Sequence, residues 1–205
     1  MTRHANQSYN LSRIKLFLNQ DIIMEEKQMT KTKWIVDQTH SSVDFSIRHM
    51  MFTNVKGSFQ TYEATIVADP SDLTSAEIAF SVDLASVDTK NADRDNHLRS
   101  ADFFDVENKP KMTFTATNIE KKDDGEYSVT GDLSLNGVTK SETFFVAFEG
   151  QGKDPWGNEK AGFSAEGTLN RSDYGLTWNA ALETGGVLVG DKVKVSLQIQ
   201  AAKAE

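Results

Sequence analysis

From Trp34 to Ile199 apolar and polar side chains alternate. Val43, Phe45 and Ile47 fall between Ser42, Asp44, Ser46 and Arg48, and Ile78, Phe80, Val82 and Leu84 fall between Ala79, Ser81 and Asp83. The spacing recurs at Met112/Phe114/Ala116, Phe144/Val146/Phe148, Phe163/Ala165 and Val193/Val195/Leu197/Ile199. A period of two gives each strand one apolar and one wet face. About eight such strands with little helix to cover them must bury their apolar faces against one another, as a sandwich or as a closed antiparallel barrel. A barrel of about eight strands has room inside for side chains or one small ligand.

Turn chemistry separates the runs. Asn136-Gly137 supplies the two positive φ angles of a tight hairpin, and Asp123-Asp124-Gly125 reads the same way between Phe114–Ile119 and Glu126–Leu135. Asp69-Pro70-Ser71-Asp72 marks another turn, and Asp154-Pro155-Trp156-Gly157-Asn158 reads as a surface turn anchored by its Trp. Sequential hairpins predict antiparallel neighbours. The run from Thr139 to Glu149 is long for a strand and predicts a tall structure. One segment, Asn91 to Phe104, breaks the alternation: it lacks Gly and Pro and places Arg94, His97, Leu98 and Ala101 on one helical face. It predicts a short helix whose trailing Phe103 and Phe104 either line one end of the sheet or cap its core.

With 205 residues and 38% hydrophobic content the chain fits one domain, and no run reaches the length of a membrane-spanning helix. A net charge of −8 argues against nucleic acid, whose phosphates select a basic surface. Having no cysteine, the chain makes no disulfide or thiolate and fits a reducing compartment. Residues 1–28 read differently from the rest. Leu11–Leu18 is interrupted by Arg13 and Lys15 and makes a poor secretory signal, so a cytoplasmic location is expected. We expect 1–28 to be an extension, disordered or arising from an upstream start assignment, and the domain to span 29–205.

His40, His49 and His97 are the domain's histidines, with Asp37, Asp44, Asp93 and Asp95 near them in sequence. Their spacing matches no metal motif, so they read as structural, and no metal or cofactor is expected. No nucleophile elbow and no Gly-rich phosphate loop is present. In Asn170–Trp178, Arg171 could pair with Asp173 or reach a polar ligand group, and Tyr174 could donate at a wet–dry boundary. On the residues alone a bulge or corner built on Gly175 is the better reading.

Trp34–Ser41, Phe45, His49, Gly57-Ser58-Phe59, Asp93–Phe104 with Pro110 and Phe114, Gly131–Leu133, Asn136–Thr139, Gly162-Phe163 and Asn170–Gly175 together make the chain resemble the YceI-like family of polyisoprenoid-binding proteins over 32–201. The resemblance implies an all-β, extended, eight-stranded lipocalin-like barrel with a short helix near one end. Its interior would hold a polyisoprenoid, an isoprenoid quinone or another long-chain lipid, without catalysis. Apolar contacts are then expected from Phe45, Ile47, Phe80, Phe103, Phe104, Phe114, Phe144, Val146, Phe148, Phe163 and Val195. Polar recognition, or retention of the helix over the opening, is expected from His40, His49, Arg94, His97, Arg171 and Tyr174. The alternative is an enzyme acting on an isoprenoid or quinone through a His/carboxylate pair. A homodimer stays open.

Overall fold

The computed structural model describes residues 31–70, 72–183 and 185–204, so the expectation for residues 1–28 lies outside the described residues. Eleven strand segments join in one antiparallel sheet. They are β1 (Thr32–Val36), β2 (Ser42–His49), β3 (Thr53–Phe59), β4 (Tyr62–Asp69), β5 (Asp72–Asp83), β6 (Val87–Asp88), β7 (Lys111–Asp123), β8 (Glu126–Leu135), β9 (Val138–Lys153), β10 (Glu159–Asn170) and β11 (Val189–Lys203). One α-helix among the described residues, α1 (Ala92–Arg99), precedes β7. None of their helices is long and apolar enough to cross a membrane.

The eleven segments make eight staves of a closed barrel. One edge of β11 pairs with β1 (Trp34 opposite Lys203) and further along with β2 (Phe45 opposite Val195), so β1 and β2 are halves of one bent stave. β3 and β4 form the next, pairing with β2 and β1 respectively, and β6 and β5 form the third in the same way. From β5 the wall runs through β7, β8, β9 and β10 and closes on β11 as an up-and-down meander. Closure leaves no long unpaired edge among the described residues.

Aspartates set two of the bends. The Asp37 carboxylate accepts from the Thr39 backbone N–H and hydroxyl and starts a 3₁₀ turn over Gln38–His40. Asp83 accepts from Ala85 N–H at 2.9 Å and starts the turn over Leu84–Ser86. Asx chemistry thus redirects a strand without cutting it from the sheet. Asn136 and Gly137 take φ of 53° and 81° between β8 and β9, as the Asn-Gly pair predicts. Trp156 differs from expectation: it is 84% exposed, and its turn is held instead by Asp154, which accepts from the N–H groups of Trp156 and Asn158.

The bend at Asp83 opens a gap in the wall. β5 pairs with β7 only as far as Asp83 opposite Lys111, and β6 pairs on one side with β3, leaving its other edge facing α1. Arg99 donates from Nε to the Ala85 carbonyl (2.7 Å) and from Nη2 to that of Val87 (2.8 Å). Arg94 donates to the Thr89 hydroxyl and carbonyl, while the buried Asp95 carboxylate accepts from Thr89 N–H. Asn91 caps the helix by accepting from Arg94 N–H. Eight residues are too few for a helix to persist alone, so these bonds hold it. They also satisfy backbone groups of an open strand edge. The helix ends at Arg99, two residues before Ala101, so the expected face of Arg94, His97, Leu98 and Ala101 loses its last member, and docking is largely polar.

Candidate ligand-binding cavity

Inward side chains build two clusters along the barrel axis. At the end away from α1, Trp34, Leu73, Tyr127, Ala161 and Ala201 are buried, and the Trp34 indole N–H donates to the Ala68 carbonyl at 3.1 Å. This end is plugged. Above it runs a narrow apolar channel of about 130 Å³, lined in part by Phe80, Phe114, Phe144, Val146, Phe163 and Val195. Beside α1 a wider chamber of about 430 Å³ is lined by Phe45 and Ile47, among others. Val43, Met112, Leu169 and Val195 border both spaces, so they adjoin along the axis. The larger lies within the usual range for ligand pockets. The exposed residues Arg48, Asp93 and Arg94 border the chamber, which therefore reaches the surface there.

Glycine explains why so many phenylalanines leave a channel. A Cβ at Gly57 would lie 2.4 Å from the Phe45 ring, one at Gly131 2.5 Å from Phe114, and one at Gly167 2.5 Å from Phe144. Each ring lies back over a glycine in the wall, a close approach that strand glycine permits. Gly167→Ala should push Phe144 into the channel. It should cost about 1–3 kcal/mol by overpacking and weaken uptake of a long apolar probe more than of a short one. Thermal melts and parallel titrations check this; equal losses for both would place the channel outside the binding path.

The remaining expected residues divide. His49, Arg94, His97, Phe103, Phe104, Arg171 and Tyr174 all border the chamber. Phe104 packs on Phe59 (6.0 Å between centroids), whereas Phe103 meets His97 and Trp178. The aromatic pair thus supplies one core ring and one rim ring. His97 stands edge-on to Phe103 and Trp178, at 5.0 and 4.8 Å, and its Nε2 lies 2.9 Å from Asp102 Oδ2. Phe148 packs on Phe163 at 5.6 Å near the plugged end and is not among the lining residues. His40 is elsewhere. It is exposed at the Asp37 bend, with Nδ1 3.0 Å from Asp37, because the 3₁₀ turn directs it outside the barrel. Hydrogen bonds from Thr39, then His40, hold the Asp37 carboxyl below the usual carboxylate range.

Arg171 and Tyr174 are committed within the protein. Arg171 is 5% exposed and donates to four carbonyls, those of Leu176, Trp178, Val189 and Gly190. Its carboxylate neighbour is Asp191 at 3.6 Å, while Asp173 pairs with Lys140. Burial pulls the Arg171 pKa down, yet a guanidinium stays charged at neutral pH. Tyr174 is wholly buried and donates to Glu142 at 2.8 Å, and burial pushes its hydroxyl pKa up. Gly175 takes φ 72° to end this corner. Arg94 donates to Thr89 and Arg48 to the Phe52 carbonyl, but neither has a carboxylate within 4 Å among the described residues. Sequence reasoning missed Trp178 and Leu188, which complete the rim from an irregular segment with no period to read. Among the described residues no three His, Cys, Asp or Glu converge as a metal site.

A closed meander, plugged at one end and apolar inside, with a basic and aromatic rim at the other, defines a lipocalin-like calyx. The chain belongs to the YceI-like domain family, which it matches over residues 34–201. It is 46% identical over 164 residues to a UPF0312 protein of Staphylococcus epidermidis, covering 80% of this chain and 93% of that one. Among solved structures it is similar to the Campylobacter jejuni YceI protein (TM-score 0.68, 34% identity, 77% of this chain and 90% of that one). A polyisoprenoid binding domain from Saccharophagus degradans shares the fold (TM-score 0.59, 16% identity, 84% of this chain and 99% of that one).

Proposed function

We propose that this protein binds a polyisoprenoid, or a comparable long-chain lipid such as an isoprenoid quinone, and sequesters or carries it. The observation that carries this reading is the pair of adjoining apolar spaces, wide at the rim and narrow toward the plug. That profile suits a chain whose tail enters the channel and whose head stays at the mouth. Burial contributes about 0.8 kcal/mol per CH₂, so roughly ten buried carbons supply on the order of 8 kcal/mol before the cost of association. The ligand class is that named for the Saccharophagus degradans domain of the same fold. Arg94 and His97 meet the head, while Arg171 and Tyr174 shape the wall.

The test is mass spectrometry of an organic extract of gently purified protein, followed by titration of the delipidated protein with geranylgeraniol. A co-purified long-chain lipid and saturable one-to-one uptake are expected. Failure to bind geranylgeraniol, with no lipid in the extract, would overturn the reading. The His97–Asp102 pair favours a second, enzymatic reading, because it is a histidine–carboxylate contact at the mouth. We expect His97→Ala to release lipid several-fold faster by removing a rim ring, with no chemical change to lipid in either protein. A modified lipid formed by wild type and lost in His97→Ala would establish the enzyme instead.

A further inference from the structure

The hairpin between β2 and β3 violates two preferences at once. Its three turn residues, Met50, Met51 and Phe52, join His49 to its partner Thr53. Met50 and Met51 take φ of 52° and 68°, the left-handed region that unbranched polar or glycine turns occupy at least cost. The same chain places Asn136 and Gly137 where the β8–β9 hairpin needs two such angles. In solvent, too, the tip is unfavourable: Met51 is 59% and Phe52 69% exposed. Val187 joins this patch at 40% exposed, since Met50 N–H donates to the neighbouring Leu188 carbonyl and Gly186 lies beside Met51.

The patch is the outer lip of the cavity. Ile47, His49 and Val55 on the same hairpin line the chamber, as do Leu188 and Trp178 across from it. Arg48 lies beside the tip, donating to the Phe52 carbonyl at 3.4 Å, and has no carboxylate within 4 Å among the described residues. An apolar tip, an indole and a guanidinium with no carboxylate partner among the described residues, all around one opening, match the layered chemistry of a phospholipid surface. We propose that the Met50–Phe52 hairpin, with Val187, docks the mouth onto a phospholipid bilayer, so that a long-chain lipid passes between membrane and lumen without crossing water. The inference rests on the lipid-binding reading. A second copy of the chain fits the patch less well, because an isologous contact brings the two Arg48 side chains together. Four part-exposed side chains also fall short of the roughly 800 Å² per partner of a stable interface.

The experiment is flotation of the full chain with phosphatidylcholine–phosphatidylglycerol vesicles, with geranylgeraniol uptake from dilute solution measured in parallel. Wild type should float with the vesicles. Met51→Asp/Phe52→Asp should lose at least about tenfold in association while keeping solution uptake, because neither side chain lines the cavity. A Met50→Asn/Met51→Gly variant should melt higher than wild type and also associate less. Wild type that does not float, or tip variants that float equally well, would overturn the proposal. So would a tip variant that converts a dimer to a monomer in light scattering with flotation unchanged. Flotation of wild type with neither geranylgeraniol uptake nor a lipid in its organic extract would sustain the docking surface and refute the ligand reading.

Discussion

Phe114→Asp should yield a protein that either fails to fold or melts far below wild type. Phe114 borders the narrow channel, packs edge-on to Phe144 at 5.2 Å and lies over Gly131. A carboxylate there faces apolar walls, and the channel offers it no cation. Burying an unpaired charge costs several kcal/mol, about 4 or more, against a total stability of roughly 5–15 kcal/mol for a typical domain. Phe114→Leu keeps the site apolar and should cost about 1–3 kcal/mol, so the pair separates charge from lost volume. Circular dichroism melts read the difference. An Asp variant as stable as wild type, with full lipid uptake, would mean that the channel is wet or that the strand face is inverted.

The face of Phe114 was legible because a period of two survives without knowledge of any partner strand. The same holds for Phe80, Phe144 and Val195, and for the Asn136-Gly137 hairpin, whose backbone requirement is local. What the alternation does not carry is register. Gly57, Gly131 and Gly167 look unremarkable in the sequence, yet their value comes from the rings of Phe45, Phe114 and Phe144 laid over them from other positions. Helix α1 was visible as a break in pattern, but the face read from the spacing was the mixed one of Arg94, His97, Leu98 and Ala101. It docks instead through Arg94, Asp95 and Arg99 on the free edge of β6, an edge created by the bend at Asp83. His40 shows the converse error. The family resemblance groups it with His49 as a polar-recognition candidate, but the Asp37 turn separates the two. Trp178 and Leu188 sit in an irregular segment that Arg171 pins at its two ends, and no local signal ties them to it.

Arg171→Met should loosen that segment and make the barrel leak. The guanidinium holds carbonyls from both ends of the stretch between Leu176 and Gly190, and so latches the wall that carries Trp178 and Leu188. Methionine fills similar volume but donates nothing, leaving several buried carbonyls to find water by moving outward. Unsatisfied buried groups cost about 1–3 kcal/mol each. Part of this is recovered as the segment opens, so about 3 kcal/mol is the expected loss, on the order of 10 °C in melting temperature for a domain of this size. Arg171→Lys should recover little, because an ammonium on a flexible stem does not reproduce the planar fork that reaches carbonyls on both sides. Hydrogen exchange should rise across residues 176–189 while β7–β9 stay protected, and bound geranylgeraniol should dissociate at least about tenfold faster than from wild type. The lock and the lip are then one device, since the segment that Arg171 pins also carries Val187 beside the Met50–Phe52 tip. Unchanged exchange and unchanged release in Arg171→Met would show that β11 and the Asn179 bonds to Val189 hold the segment without it.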